Sequence, residues 1–350
     1  MRVAVDAMGG DQRPAAPVEG ALRAVAARKD LEVLLVGPRA TVEAALAAAP
    51  PGAGRDRVRV VDAPDVIETG ESPARAVLSK RQSSIVVGLE LCGRGEADAF
   101  VSAGNTGALT AGSVLIWKTI PGVDRPAMPA VLPTVDGRGC VFLDVGAGTE
   151  AGPDNLCDFA IMGSLYAERA RGIREPRVAL LNVGTEERKG TAVAKEAFAR
   201  LQAARVRFVG NVEGRDLFAD RADVVVTDGF VGNVVLKTIE GMGIGLSQVL
   251  GRELRHSGFI TLLGAALAAR TLRGMRRRLD YAEVGGVPFL GVRGVCVKCH
   301  GSSGARALGN GVLSAAAVVG GGVVAEIERA LRGLPGAGDA APAEGATAGA

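Results

Sequence analysis

Asp228–Gly229–Phe230–Val231–Gly232–Asn233 runs into Val234–Val235–Leu236–Lys237–Thr238–Ile239–Glu240–Gly241, directly after the apolar, β-rich run Ala222–Val226. The order is strand, acid, glycine turn, helix, which puts an acid, two glycines and an amide at the carboxyl end of a strand. In open α/β sheets that edge is where ligands bind. Two other stretches have the same form: Val3–Ala4–Val5–Asp6–Ala7–Met8–Gly9–Gly10–Asp11 and Phe100–Val101–Ser102–Ala103–Gly104–Asn105–Thr106–Gly107–Ala108. Three such crossings predict one site assembled from distant segments, rich in backbone N–H groups and poor in ordinary nucleophiles.

Outward from these turns, short Val/Leu/Ile runs alternate with Ala-rich stretches. Arg2–Val5, Glu32–Val36, Val58–Val61, Ala97–Val101, Cys140–Leu143, Val178–Asn182, Val206–Val209 and Ala222–Val226 read as strands. Pro14–Arg28, Arg39–Ala49, Pro73–Leu91, Asn105–Trp117, Asn155–Arg171 and Thr191–Ala204 read as helices between them. Strands that are apolar throughout, with no alternation, imply a sheet covered on both faces. The expected fold is therefore α/β, a Rossmann-like three-layer α/β/α sandwich on a mostly parallel, mixed central sheet. Residues 50–57 read as a surface loop and Pro121–Pro133 as a second long connection. Gly333 to Ala350 is nearly all Gly, Ala and Pro and is expected to be a disordered tail.

A chain of 350 residues suffices for a packed core, and 48% apolar against 3% aromatic content makes that core one of Ala, Val and Leu. A net charge of +3 argues against a broad nucleic-acid surface, so an anionic partner must meet a local patch. Cys92, Cys140, Cys157, Cys296 and Cys299 are an odd set within apolar segments and read as reduced thiols. With a strand beginning at Arg2, no secretory leader is expected, and no segment reaches the roughly 20 apolar residues of a spanning helix.

Several motifs imitate cofactor sites. Gly146–Ala147–Gly148 with Gly152 resembles a dinucleotide fingerprint, but the next strand ends in Asn182–Val183–Gly184, without the acid such a site wants. Gly184 to Gly190 resembles a nucleotide loop, but Lys189 precedes the second glycine where a Walker lysine follows it. Cys296–Val297–Lys298–Cys299–His300 spells a haem-attachment pattern, yet His300 and His256 are the only histidines and no second Cys pair exists for zinc. The reading is therefore no cofactor and no metal: two core thiols on a strand deliver His300 to a loop ahead of Gly301–Ser302–Ser303. Lys189 and Arg125 each read as a phosphate partner or as a surface cation. His300 reads as a general acid, a donor to a carbonyl, or a structural histidine.

Arg252 to Arg278 is the strongest partner signal. Phe259, Ile260, Leu262, Leu263, Leu267 and Leu272 lie beside Arg252, Arg255, Arg270, Arg273, Arg276, Arg277 and Arg278, with only Glu253 opposing. A basic apolar helix pair suits an anionic lipid surface, an acidic protein, or a dimer-packing hairpin.

Together these residues resemble the bacterial phosphate acyltransferases of phospholipid synthesis, the acyl-ACP:phosphate acyltransferase (PlsX) family. The resemblance also rests on Asp124–Arg125–Pro126–Ala127, Leu143–Asp144–Val145–Gly146–Ala147, Glu213–Gly214–Arg215–Asp216, Asp280–Tyr281–Ala282–Glu283, Gly285–Gly286–Val287–Pro288 and Cys299–His300–Gly301–Ser302–Ser303. The sequence departs from the family pattern at Gly148–Thr149–Glu150–Ala151 and at Gly304. The resemblance implies a single acyltransferase domain over 1–332 that moves a long-chain acyl group from acyl carrier protein to inorganic phosphate, with no cofactor; the alternatives are a phosphotransacetylase-like acyl-CoA transferase and a non-catalytic adaptor between acyl carrier protein and the membrane. Within it, Gly9, Gly10, Ser102, Gly104, Thr106, Gly107 and Arg125 are expected at phosphate. Asn105, Lys189, His300, Asn233 and Asp228 are expected at the chemistry, with Asp6 orienting donors. It also implies a homodimer and a cytoplasmic protein in peripheral contact with the membrane through 252–278. A glycerol-3-phosphate acyltransferase is the expected membrane neighbour.

Overall fold

The computed structural model describes residues 1–258, 261, 264, 267, 268 and 285–332. Its strands are β1 (Arg2–Asp6), β2 (Glu32–Gly37), β3 (Val58–Asp62), β4 (Ala99–Ser102), β5 (Ala130–Leu132), β6 (Cys140–Leu143), β7 (Arg177–Leu181), β8 (Arg207–Val212), β9 (Val224–Val226), β10 (Val287–Pro288) and β11 (Cys296–Lys298). The helices are α1 (Ala15–Ala27), α2 (Arg39–Ala48), α3 (Pro73–Ser79), α4 (Ser84–Gly93), α5 (Thr106–Trp117), α6 (Pro153–Arg171), α7 (Ala192–Ala203), α8 (Gly229–His256), α9 (Ala305–Gly320) and α10 (Val323–Arg332).

The α/β class holds, with the strands shared between two mixed, mostly parallel sheets ordered β10-β11-β4-β1-β2-β3 and β5-β6-β9-β7-β8. Each has one antiparallel edge strand, β10 against β11 and β5 against β6. Just beyond those edges, Ala127 and Leu290 form an antiparallel bridge through paired backbone hydrogen bonds of 3.0 and 2.8 Å. The two sheets are thereby stitched edge to edge.

Strand alternation then builds two shared apolar layers. Val3, Val5, Val101 and Val297 of the first sheet join Val141, Leu143, Val178 and Val224 of the second in one core cluster, against α1, α6, α9 and α10. The intervening residues Ala4, Phe100 and Cys296, with Phe142, Ala179 and Val225, form the other, against α3, α4, α5 and α8. Because side chains alternate with period two, both faces of every central strand are covered, as continuous apolar strands require.

The eight strands and six helices read from sequence are present, with three differences. Pro73–Leu91 is broken into α3 and α4, because Ser83 bridges to Asp65 and accepts the Val86 N–H as an N-cap. The connection Pro121–Pro133 contains β5, three buried residues too short for a periodic signal. The helix after Asp228 is 28 residues long. The tail 333–350 lies outside the described residues. Among the described residues no single helix is long and apolar enough to cross a membrane. The pair α9–α10 is long and apolar enough only when its two helices are taken together across a 43° bend, and its Leu308, Val312, Ala316 and Ile327 are core residues.

On α6, Asp158 sits one turn after Asp154 and near Asp124; burial, then those two like charges, push its carboxyl from 3.8 up to about 7. An acid whose native pKa exceeds its unfolded value binds more protons folded than unfolded, so its contribution falls as pH rises between the two. Asp158→Asn removes that penalty. Its gain over wild type should be small near the ordinary carboxylate pKa, grow up to about pH 7 and be constant above, reaching roughly 3 °C in Tm at high pH. Melting curves at pH 5 and pH 8 check this; an equal gain at both would contradict it.

Candidate active site

The first turn follows β1. Asp6 is buried, 1% exposed, and its carboxylate is satisfied locally: Oδ1 accepts the Met8 N–H at 2.9 Å and Oδ2 accepts the Ser102 hydroxyl at 2.6 Å. Ser84 also bonds it and the Arg13 guanidinium is near, but burial dominates and raises the Asp6 pKa above the ordinary value. Ser102 Oγ in turn accepts the Gly104 N–H at 2.9 Å. Asp6 therefore pins the turn after β1 to the turn after β4. Gly10 has φ +88°, and a Cβ there would lie 2.8 Å from the Gly301 carbonyl, so only glycine fits. The same carbonyl accepts the Asp11 N–H at 2.8 Å, and Cys299 N donates to Ser102 O at 2.9 Å. The loops after β1, β4 and β11 are thus one assembly, holding Gly9, Gly10, Ser102, Gly104, Thr106, Gly107 and His300 together.

Asn105 caps α5: its Oδ1 accepts the Ala108 N–H at 3.0 Å, and its Nδ2 donates to the carbonyls of Glu68, Thr69 and Glu71 at 3.1–3.3 Å. Its amide is fully engaged in holding the 68–71 loop over the turn. The Thr106 and Gly107 N–H groups, first and second in α5, bond to no acceptor among the described residues; orphan amides at a helix N-terminus suit an anion. His300 is exposed, with Nδ1 2.8 Å from Ser302 Oγ and accepting the Ser302 N–H at 3.3 Å. In the tautomer in which Nδ1 accepts, Nε2 is the donor available to a substrate.

The second sheet repeats the device. Asp144, one residue past β6, is 1% exposed; Oδ1 accepts N–H groups of Met128 (2.9 Å), Gly146 (3.0 Å) and Ala147 (3.0 Å), and Oδ2 that of Gly148 (3.0 Å). Burial still outweighs those four bonds and raises its pKa. This loop lies on the turn after β9. A Cβ on Gly229 would collide with the Gly148 carbonyl and one on Gly232 with the Asp144 carbonyl, so that contact demands glycine at both. Asp228 caps α8, its Oδ1 accepting the Val231 N–H at 2.9 Å, and Asn233 stands beside Gly146.

Arg125 joins this second cluster. Its Nη1 donates to Glu150 O at 2.7 Å and its Nε to Asp124 at 3.1 Å, which fixes its fork against the 148–151 loop. Lys189 is exposed beyond β7, 3.9 Å from Glu186, and its carbonyl is held by Asn182 Nδ2 at 3.1 Å. The structure therefore gathers the expected residues into two groups, one on each sheet's carboxyl edge, with Lys189 on the rim. Arg252 and Arg255 lie exposed at the end of α8. Phe259, Leu262, Leu263, Arg270, Arg273, Arg276 and Arg277 lie outside the described residues, as does Asp280–Glu283. Among the described residues no group of three His, Cys, Asp or Glu is placed for a metal. Burial pushes the Cys299 thiol up to about 12, a poor ligand or nucleophile.

Sequence reasoning gave no role to Ser84, Arg13 or Lys298. Lys298 had a signal, a lone charge inside an apolar strand; Ser84 and Arg13 had none, since they meet Asp6 only through the fold.

The described residues form two glycine-amide clusters at the carboxyl edges of the two sheets, and similarity to known proteins shows the family. The model of the family described as "Fatty acid synthesis protein" matches residues 1–326. A phosphate acyltransferase of Heliobacterium modesticaldum is 53% identical over 310 residues, 89% of this chain and 91% of that one. One from Caldanaerobacter subterraneus is 44% identical over 331 residues, 95% and 97%. Among solved structures, the EutD phosphotransacetylase from Staphylococcus aureus superposes with a TM-score of 0.59 at 16% identity over 91% of this chain and 94% of that one, a likeness of fold. The chain is an acyltransferase. It belongs to the PlsX family of phosphate acyltransferases.

Asp144→Asn leaves one acceptor oxygen where two serve four amides, and turns an NH₂ towards an N–H. A loss of about 2–3 kcal/mol is expected, read as a lower urea midpoint at unchanged slope. An unchanged midpoint would show that the carboxylate does not hold the loop.

Proposed function

We propose that the protein transfers a long-chain acyl group from acyl carrier protein to inorganic phosphate, giving acyl phosphate for glycerophospholipid synthesis. The observation that carries the reading is the assembly of the three loops after β1, β4 and β11 around unpaired amides, in a chain whose family is one of phosphate acyltransferases.

A phosphate oxygen attacks the thioester carbonyl carbon, the C–S bond breaks, and pantetheine leaves as a thiolate that takes up a proton. Phosphate is anionic at neutral pH and thiols have pKa values near roughly 8.5, so neither nucleophile nor leaving group needs strong activation. Proximity and oxyanion stabilisation are the enzyme's work. The Thr106 and Gly107 amides, with Gly9, Gly10 and Gly104 clearing the approach, form the anion cradle. Ser102 and Asp6 set its shape, and Asn105 acts as a positioning residue through the cap and the 68–71 loop. Lys189 and Arg125 supply positive charge for phosphate. His300 Nε2 and Asn233 donate to the thioester carbonyl, and Asp228 fixes the turn that presents Asn233.

The partner reading is a homodimer that meets acyl carrier protein and the cytoplasmic face of the membrane peripherally through 252–278, beside a glycerol-3-phosphate acyltransferase. Exposed Met242, Ile244, Leu246, Val249 and Leu250 along α8 support a covering surface, and Arg252 and Arg255 continue it with positive charge.

Thiol release from long-chain acyl carrier protein, with mass detection of acyl phosphate, tests the activity. Release should require phosphate, and acyl-CoA should be a poor donor; phosphate-independent release would identify a thioesterase. In the same assay Lys189→Ala and Arg125→Ala should each raise the phosphate KM about tenfold, and loss of the His300 donor should lower kcat about 10²-fold. Full kcat in His300→Ala would remove it from the site.

A further inference from the structure

Lys298 ends β11 directly opposite Ser102 of β4. Ala4, Phe100 and Cys296 share one apolar cluster, so the residues two places on, Asp6, Ser102 and Lys298, share that face of the sheet. The Ser102 hydroxyl already bonds Asp6 at 2.6 Å. A carboxylate, a hydroxyl and an ammonium thus stand in one row across three neighbouring strands, at the carboxyl edge where the glycine turns converge. His300 follows two residues later.

The ammonium of Lys298 donates to the Cys299 carbonyl, and among the described residues no carboxylate pairs with it. Burial lowers its pKa from the usual lysine range; the Lys237 ammonium on α8 pushes the same way and the Asp6 carboxylate the other. Lys237 has its own counter-ion, Glu240 at 2.6 Å. A partly buried cation costs free energy unless paired, and an ammonium has three donors, of which one carbonyl takes one. Asp6 acts on this ammonium only through space, since its hydrogen bonds go to Met8 and Ser102 and no ion pair joins it to Lys298 among the described residues. What completes the site is an anion with several acceptor oxygens.

We propose that Lys298 seats the acceptor phosphate, which takes the place of a protein counter-ion at the same carboxyl edge that carries the Thr106 and Gly107 amides. The inference rests on the acyl-phosphate reading for its substrate, and makes Lys298 a binding residue deeper than Lys189 or Arg125.

Two measurements test it. In steady-state assays with acyl carrier protein thioester, Lys298→Met should raise the phosphate KM about tenfold or more while leaving the thioester KM unchanged; Lys298→Arg should recover most of the loss. In the wild-type protein, phosphate should slow acetylation of Lys298 by acetic anhydride several-fold by peptide mass spectrometry, where chloride at equal ionic strength should not. An unchanged phosphate KM in a folded Lys298→Met, or identical labelling with and without phosphate, would overturn the proposal. Wild-type protein that binds phosphate at Lys298 yet forms no acyl phosphate would instead sink the acyl-transfer reading and leave this site standing.

Discussion

A carboxylate removed from water at the end of a strand must be met by hydrogen bonds, and in this chain that demand shapes the site. Asp6 and Asp144, each 1% exposed, close β1 and β6 by accepting from the turns that follow them. Burying an acid is costly unless it is satisfied, so each turn has one way to fold. The Asp6–Ser102 bond then ties β1 to β4, and the Gly301 carbonyl ties β11 to β1. Glycine is needed where backbone approaches backbone, at Gly10 and at the Gly229–Gly232 turn. The result is a surface of amides whose geometry is set from beneath by buried acids.

Such a surface suits a reaction whose nucleophile arrives already charged. Phosphate beside thioester needs counter-charge and donors more than it needs a base, and the positive groups are arranged accordingly. Lys189 is exposed at the rim, Arg125 is held across the 148–151 loop, and Lys298 sits within the strand row. The buried thiols, pushed to high pKa by desolvation, add no nucleophile of their own. The edge bridge at Ala127–Leu290 keeps the two sheets, and hence the two amide clusters, in one frame.

Much of this was legible in sequence because an apolar strand running into a polar, glycine-bearing turn is a local pattern: residues 3–11, 100–108 and 222–241 form the turns they spell. The covered strands were legible for the same reason, since Val and Leu without alternation admit no exposed face. What sequence left out depends on pairing. β5 and β10 are two or three residues long and exist because a neighbour's edge needs hydrogen bonds. Asn105 reads as a residue of the chemistry, and the fold also brings the Glu68, Thr69 and Glu71 carbonyls to its amide, so that it clamps the 68–71 loop. Ser84 reaches Asp6 only after α4 packs over β1, a contact no spacing encodes.

The most direct test is a crystal structure of the protein soaked with phosphate, or with thiophosphate to mark the anion by its anomalous sulfur. The account predicts one anion against the Thr106 and Gly107 amides, in reach of Lys298 and the His300 loop, with the Asp6–Ser102 bond intact. Anion bound instead in the arginine-lined cavity of Arg138, Arg174, Arg177 and Arg207 at the amino edge of the second sheet, with the carboxyl edge empty, would contradict it.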